Sequence, residues 1–514
     1  MPRLDLSVAL KYFFIQSSFR LLGNAPFLSI IQWREAALRS RSHQSLETII
    51  NPNMVLGPLD KRSIRTRCEA CSRRRIKCEG GSPCAYCMKK KITCVPPAPS
   101  KRTGVVFVNK APSQNFVTNS EQIILDQQLV IPKVVDRLQS ADFIARFFSV
   151  FIVRNDFSGG SLDMDAIVTN FQYSPSLYHA AVAVGALDAS KHALPPAKER
   201  RVATVAALSS YKTSLVAFQE EIQRRDIRKN DAALWTTLFL GLFELMSDFS
   251  GEGWVKHILY GTSRMLQLRG PEAHLTGRGR SFFLTVRIFE ISRALAFSES
   301  TFLNERPWVE LMEKMWLEDA SDWHPKEKMY DLMLETHALG EKVWDVVKED
   351  TDLPSHMIDE ALTDLGTAGL TMRDTIDNWH TSFLQSSYAI EDDPWSLLAI
   401  IYYHAISIYL TGIFDYRPQF DMIPYPSLSY STIQAHVYSI ISQTKLALST
   451  TNLAGAFLVF ALRVAGARAV NEEQRVDILQ MLAEISTRSF VVADAFRMDL
   501  EYVWSETESR KGRA

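Results

Sequence analysis

The stretch Arg67-Cys68-Glu69-Ala70-Cys71-Ser72-Arg73-Arg74-Arg75-Ile76-Lys77-Cys78, the loop Glu79 to Pro83, and then Cys84-Ala85-Tyr86-Cys87-Met88-Lys89-Lys90-Lys91-Ile92-Thr93-Cys94 hold all 6 cysteines of the chain. Each half reads Cys-x2-Cys-x6-Cys, and a five-residue loop ending in Pro83 joins them. One chemical explanation has to cover the repeat. Thiolates are soft ligands suited to zinc, and structural zinc takes four ligands. Two zincs need eight bonds, which six thiolates supply when two of them bridge both metals. A single zinc leaves two cysteines unused. The repeat therefore favours a binuclear cluster whose core, two dications and six thiolates, carries a charge of −2. The surrounding cations offset that charge and favour thiolate over thiol.

The competing reading is a disulfide knot. Disulfide frameworks belong to oxidising compartments and are commonest in short secreted chains. Here residues 95–514 contain no cysteine, and nothing before the motif reads as a secretory signal.

Charge is distributed unevenly. The chain has 57 Lys and Arg against 58 Asp and Glu, a net of −1. Residues 61–102 alone hold 13 basic and 2 acidic residues, a net of +11, which leaves −12 on the rest. A short basic module on an acidic body is the footprint of a polyanion ligand, confined to that module. The run Lys61-Arg62-Ser63-Ile64-Arg65-Thr66-Arg67 leads straight into the first cysteine. Beside the metal motif it reads as a nuclear-import or nucleic-acid patch.

The spacing, the basic run between the second and third cysteines and the proline before the fourth resemble the DNA-binding domain of the fungal zinc binuclear-cluster transcription factors. Three further segments resemble the fungal-specific regulatory domain that follows the cluster in that family. They are Phe143–Phe148, Tyr178–Leu187 and Trp254–Gly261 with Arg269-Gly270-Pro271. The resemblance implies two zinc ions held by Cys68, Cys71, Cys78, Cys84, Cys87 and Cys94. Cys68 and Cys84 would bridge, Cys71 and Cys78 complete one metal, and Cys87 and Cys94 the other. It also implies that the first helix enters the major groove of double-stranded DNA, at GC-rich CGG-type triplets. Arg74 and Arg75 occupy the family's base-reading positions, and arginine pairs bidentately with guanine. Arg73, Lys77, Lys89, Lys90 and Lys91 would mainly neutralise phosphates. Nuclear localisation, RNA polymerase II genes, contacts to the transcription machinery or co-regulators and a small-molecule inducer follow as expectations from the same resemblance. So does control of metabolic genes, often a secondary-metabolite cluster.

The rest of the chain reads as mostly α: a small zinc-cluster module joined by a linker to a large all-helical domain. Residues 1–60 are mildly hydrophobic, basic and acid-poor, and are expected to be a weakly ordered extension or to reflect a start codon set too far upstream; an organelle signal is the lesser alternative. The cluster domain is placed at 61–97, a linker rich in Ser, Asn, Gln and Pro at 98–138, and the helical domain, with roughly a dozen helices, at 139–507. Val202, Val205, Leu208, Tyr211, Leu215, Phe218 and Ile222 recur at helical steps, as do Ile358, Leu362, Leu365, Gly369, Met372, Ile376, Trp379 and Phe383. Leu397–Phe414 is a run of 18 uncharged residues, long enough to span a membrane, yet His404 and Ser407 and its helical surroundings favour a core helix, with no membrane partner. Gly261 is expected to permit close helix packing, and Gly270-Pro271 to end a helix.

No catalytic constellation emerges. The histidines are scattered, there is no His-Glu-x-x-His, and Gly251-Glu-Gly253 and Gly277-Arg-Gly279 lack a dinucleotide loop's third glycine. His179, His257 and His404 sit in apolar helices and read as core histidines. Trp316–Trp323 interleaves acids and aromatics as activation segments do, although a solvated loop has the same composition. Residues 95–135 carry five prolines and barely one heptad, too little for a parallel coiled coil. DNA binding by 61–135 is therefore expected to be monomeric. A second reading makes the helical domain the main functional unit, as a metabolite sensor or interaction scaffold.

Overall fold

The computed structural model describes residues 85–90, 94, 137–158, 164–192, 197–224, 227–251, 261–348, 355–389, 392–415 and 417–511. The chain forms two compact units, one within Pro26–Ile131 and the other containing Pro132–Ala514. The described part of the first unit is a single short helix, α1 (Ala85–Lys89), followed by Lys90 and the isolated position Cys94.

The second unit is helical throughout its described residues. Its helices are α2 (Arg137–Arg146), α3 (Met164–Asn170), α4 (Pro175–His192), α5 (Ala197–Arg224), α6 (Asp231–Ser247), α7 (Ser263–Arg269), α8 (Gly277–Phe297) and α9 (Arg306–Glu318). There follow α10 (Pro325–Val347), α11 (Ser355–Leu384), α12 (Pro394–Phe414), α13 (Tyr430–Thr450), α14 (Leu458–Arg468), α15 (Glu472–Arg488) and α16 (Ala493–Lys511). Helix α2 begins two residues inside the span read as linker, and α16 runs past 507. Among the described residues the only extended pairing is a parallel bridge between Asp156 and Leu453. It ties the segment after α2 to the one after α13 through Asp156 N–H to Asn452 O at 2.7 Å and Ala454 N–H to Asp156 O at 2.9 Å.

Three helices, α6, α12 and α14, are apolar nearly all round and buried nearly all round, as such helices must be in water. Helix α12 contains the 18-residue uncharged run. By length and composition it passes for a membrane span, but most of it lies inside the helical body, packed by α10, α11, α13 and α14. The 358–383 rhythm lies on α11, where Leu362, Leu365, Ile376 and Phe383 are buried. Glycines let this helix close on its neighbours: a Cβ at Gly369 would sit 2.6 Å from the Phe414 ring. Two of the family-like segments meet directly. A Cβ at Gly185 of α4 would lie 2.0 Å from the carbonyl oxygen of Phe143 on α2. Below them Asp188, fully buried, receives Arg146 Nε at 2.7 Å and the guanidinium of Arg154.

Two expectations change. Helix α5 forms where the 202–222 rhythm predicts it, and Tyr211 and Phe218 of that stripe pack against the core, but its most buried face is rotated away from the rest of the stripe. Its buried side is Ala203, Ala206, Ala207, Ser210 and Ser214, set against the Ala- and Gly-rich α4. Val202, Val205, Leu208, Leu215 and Ile222 are exposed, Leu208 to 55%. Small residues let two helix backbones approach closely, and that packing outweighs the larger side chains that stay exposed. At Gly261 an added Cβ would meet nothing within 4 Å among the described residues, so the close packing expected there is not seen among them. Gly270, by contrast, ends α7 at φ 78°, its N–H bonded to Leu266 O at 3.0 Å, and Pro271 opens the next 3-10 turn.

His257 lies outside the described residues, and His179 is half-buried. His404 on α12 meets His436 on α13, Nδ1 to Nδ1, at 2.8 Å, with His380 stacked on the Tyr403 ring at a centroid distance of 3.9 Å. Burial pushes His404 down to about 3 and His436 to about 4; the neighbouring imidazoles, and Arg373 beside His436, add to it. Buried His274 and His337 also fall to about 4, chiefly by desolvation. Below the ordinary imidazole value of 6.5 the unfolded chain takes up protons that these four sites refuse when folded. The stability is therefore complete well above 6.5 and lost progressively as pH falls through 6.5 toward 4. Thermal unfolding of the full chain should show a midpoint dropping steadily between pH 7 and pH 5. A flat profile across that interval contradicts buried neutral histidines.

Candidate zinc centre and nucleic-acid interface

Helix α1 begins immediately after Cys84 and makes little more than one turn, closed by Lys90 N–H to Tyr86 O at 3.0 Å. In one turn of helix, successive side chains point about 100° apart, so an inward Cys87 sends its successors outward. Cys87 is fully buried, Tyr86 and Cys94 are half-buried, and Met88, Lys89 and Lys90 are exposed. Lys89 stands in the last turn, where the helix dipole favours a cation. A thiol taken from water beside outward-facing ammonium groups suits a thiolate bound to a soft dication, with a cationic surface left for an anionic partner. Of the sequence-derived site, Cys87, Cys94, Lys89 and Lys90 are described. Cys68, Cys71, Cys78, Cys84, Arg73, Arg74, Arg75, Lys77 and Lys91 lie outside the described residues.

In the helical unit the sequence reading missed a second set of polar residues. Arg287 and Arg293 on α8 are buried completely. Arg293 spans Glu290 (Nη2 to Oε1, 2.8 Å) and Glu299 (Nη1 to Oε2, 2.6 Å), while Ser263 and Thr301 hydroxyls each donate to Glu290 at 2.8 Å. Arg287 reaches Glu327 at 3.2 Å and also Asp331. Periodicity cannot announce such residues, because an arginine in an apolar stripe is legible only once its partners are placed. Near them the N-terminus of α10 meets that of α12. His324, capping α10, sits 3.0 Å from Asp393, which caps α12 through Ser396 N–H. Burial raises the Asp393 carboxyl, but the bonds from His324 and Ser396 prevail and hold it at about 2. The acidic–aromatic segment 316–323 is the end of α9 and the loop after it. Trp316 lies under Arg280, at 5.1 Å, and Leu317 is 86% exposed.

A cysteine-rich, basic, helix-forming segment ahead of a large helical body defines a class, the metal-dependent DNA-binding regulators. The family model of the fungal specific transcription factor domain matches residues 142–512, and that of the fungal Zn(2)-Cys(6) binuclear cluster domain matches residues 66–103. The chain belongs to the fungal zinc-cluster transcription factors. It is 31% identical over 150 residues to an uncharacterized protein of Emericella nidulans, a match covering 29% of this chain and 32% of that protein. The match thus spans about a third of the relative's length. No solved structure matches.

Proposed function

We propose that the chain is a nuclear, sequence-specific regulator of RNA polymerase II genes, binding CGG-type triplets through a two-zinc module. The observation that carries this is the repeated Cys-x2-Cys-x6-Cys within a +11 segment, with Cys87 buried and Lys89 and Lys90 exposed. All six cysteines hold the metals, Cys68 and Cys84 as bridges. The metals supply the fold of a module too poor in apolar residues to fold by burial alone. Arg74 and Arg75 read guanines; Arg73, Lys77, Lys89, Lys90 and Lys91 lie on phosphates. The module spans 61–97, the linker 98–138 and the regulatory body 139–507, with 1–60 as an extension. The module binds as a monomer, so any dimer forms through the helical body. Co-regulators dock on that body, and the regulon is metabolic, a secondary-metabolite gene cluster.

The two kinds of contact separate experimentally. Arg75→Ala should cost about 1–3 kcal/mol of discrimination at one base pair. Lys90→Ala should weaken all sequences alike and make the salt dependence shallower. Gel shifts of both variants over a panel of sites and salt concentrations check this. Identical behaviour of the two would overturn the division between base-reading and phosphate-binding residues.

A further inference from the structure

Between α8, the loop after α9, and the joined N-termini of α10 and α12 lies a cavity of about 720 Å³. That is the size of sites that hold small organic molecules. Four aromatic side chains shape it: Phe157, Tyr330 of α10, Trp395 of α12 and Trp323 of the loop, the last 39% exposed. Leu284 and Ile288 of α8 add apolar wall. Tyr330 is 1% exposed, and its hydroxyl has no hydrogen-bond partner among the described residues. A buried donor without an acceptor is costly, and such groups in native proteins call for an explanation.

The charges lining the cavity are already engaged. Arg280 donates to the Asp319 carbonyl at 2.8 Å and lies 3.4 Å from its carboxylate. Lys326 sits 3.1 Å from Glu327, with its ammonium over the Trp395 ring at 5.1 Å. Glu327 also serves Arg287, and Asp393 serves His324. Among the described residues no lining cation is left over for an anionic ligand, and the acidic residue Asp322 is exposed to solvent. The geometry points to a binding site for an uncharged, planar aromatic molecule carrying a carbonyl oxygen, which accepts a hydrogen bond from the Tyr330 hydroxyl while the ring stacks against Trp323. This adds a ligand site to the DNA-binding reading and does not rest on it.

The test uses the full chain and coumarin, an uncharged planar lactone, with 2-naphthoate as the anionic comparison, followed by ligand-observed NMR titration. Coumarin is expected to bind and 2-naphthoate to bind at least tenfold more weakly. Tyr330→Phe should weaken coumarin binding by about fivefold to tenfold, the effect of one hydrogen bond. Because the hydroxyl has no partner among the described residues, this variant should melt at or above the parent's midpoint. Leu284→Trp, which projects a bulkier ring from the α8 wall into the cavity, should weaken binding. The proposal is overturned if coumarin does not bind the parent chain. It is overturned equally if a folded Tyr330→Phe keeps full affinity, or if 2-naphthoate binds as well as coumarin. DNA affinity is not part of the readout, so failure here and failure of the DNA-binding reading are distinguishable.

Discussion

Cys84→Ala, or a strong chelator, is expected to abolish DNA binding by the full chain while leaving the helical content of the 137–511 region intact. The two effects separate because the metal and the helical core stabilise different units. Structural zinc in small domains contributes about 10–16 kcal/mol per site in apparent binding energy, so in the module metal binding and folding are one equilibrium. Cys84 is the proposed bridge, and its loss should damage both metal sites together. Cys87→Ala, removing a ligand from one metal only, should leave part of the zinc in place. Metal analysis should find two zincs in the parent, close to none in Cys84→Ala and an intermediate amount in Cys87→Ala. One zinc in the parent, or specific DNA binding that survives chelation, contradicts the binuclear arrangement.

Arg293→Met is the second large effect, and it falls on the helical unit alone. The substitution keeps most of the side-chain volume and removes the guanidinium that neutralises Glu290, which is 4% exposed. Breaking a buried ion pair from one side typically costs about 3–5 kcal/mol, because the remaining charge is left desolvated. The Ser263 and Thr301 hydroxyls stay on Glu290, but they offset only part of that charge. The double variant Arg293→Met with Glu290→Leu should therefore lose less than the single Arg293→Met variant. Denaturant unfolding followed by circular dichroism measures this. If the single variant unfolds at the parent's midpoint, the cluster carries no net stability.

The helical rhythm was legible where large apolar residues recur on a face that is in fact buried. Residues 358–383 satisfy that on α11, and the uncharged run 397–414 satisfies it on α12, whose His404 finds His436 rather than lipid. Gly270-Pro271 was legible as a stop because a positive φ and a missing N–H are local properties. The face of α5 was not legible. Its exposed valines and leucines outscore its alanines in any hydrophobic pattern, and only the nearby α4 backbone makes the alanine side the better contact. The buried arginines of α8 and the cavity beside them had no sequence signal, since each depends on partners 3 to 44 residues away.

The sequence by itself carries the signals from which the metal chemistry and the kind of partner are read. Cysteine spacing and a local concentration of positive charge act at short range along the chain, and they need no tertiary contact to be read. The tertiary structure alone decided which helix faces are inside, which charges pair in the core, and that Tyr330 lies buried beside a cavity with no partner for its hydroxyl among the described residues. Those outcomes depend on how closely backbones approach and on which side chains meet across helices. Distances of that kind are set by the packing of the whole helical unit, and no single stretch of residues encodes them.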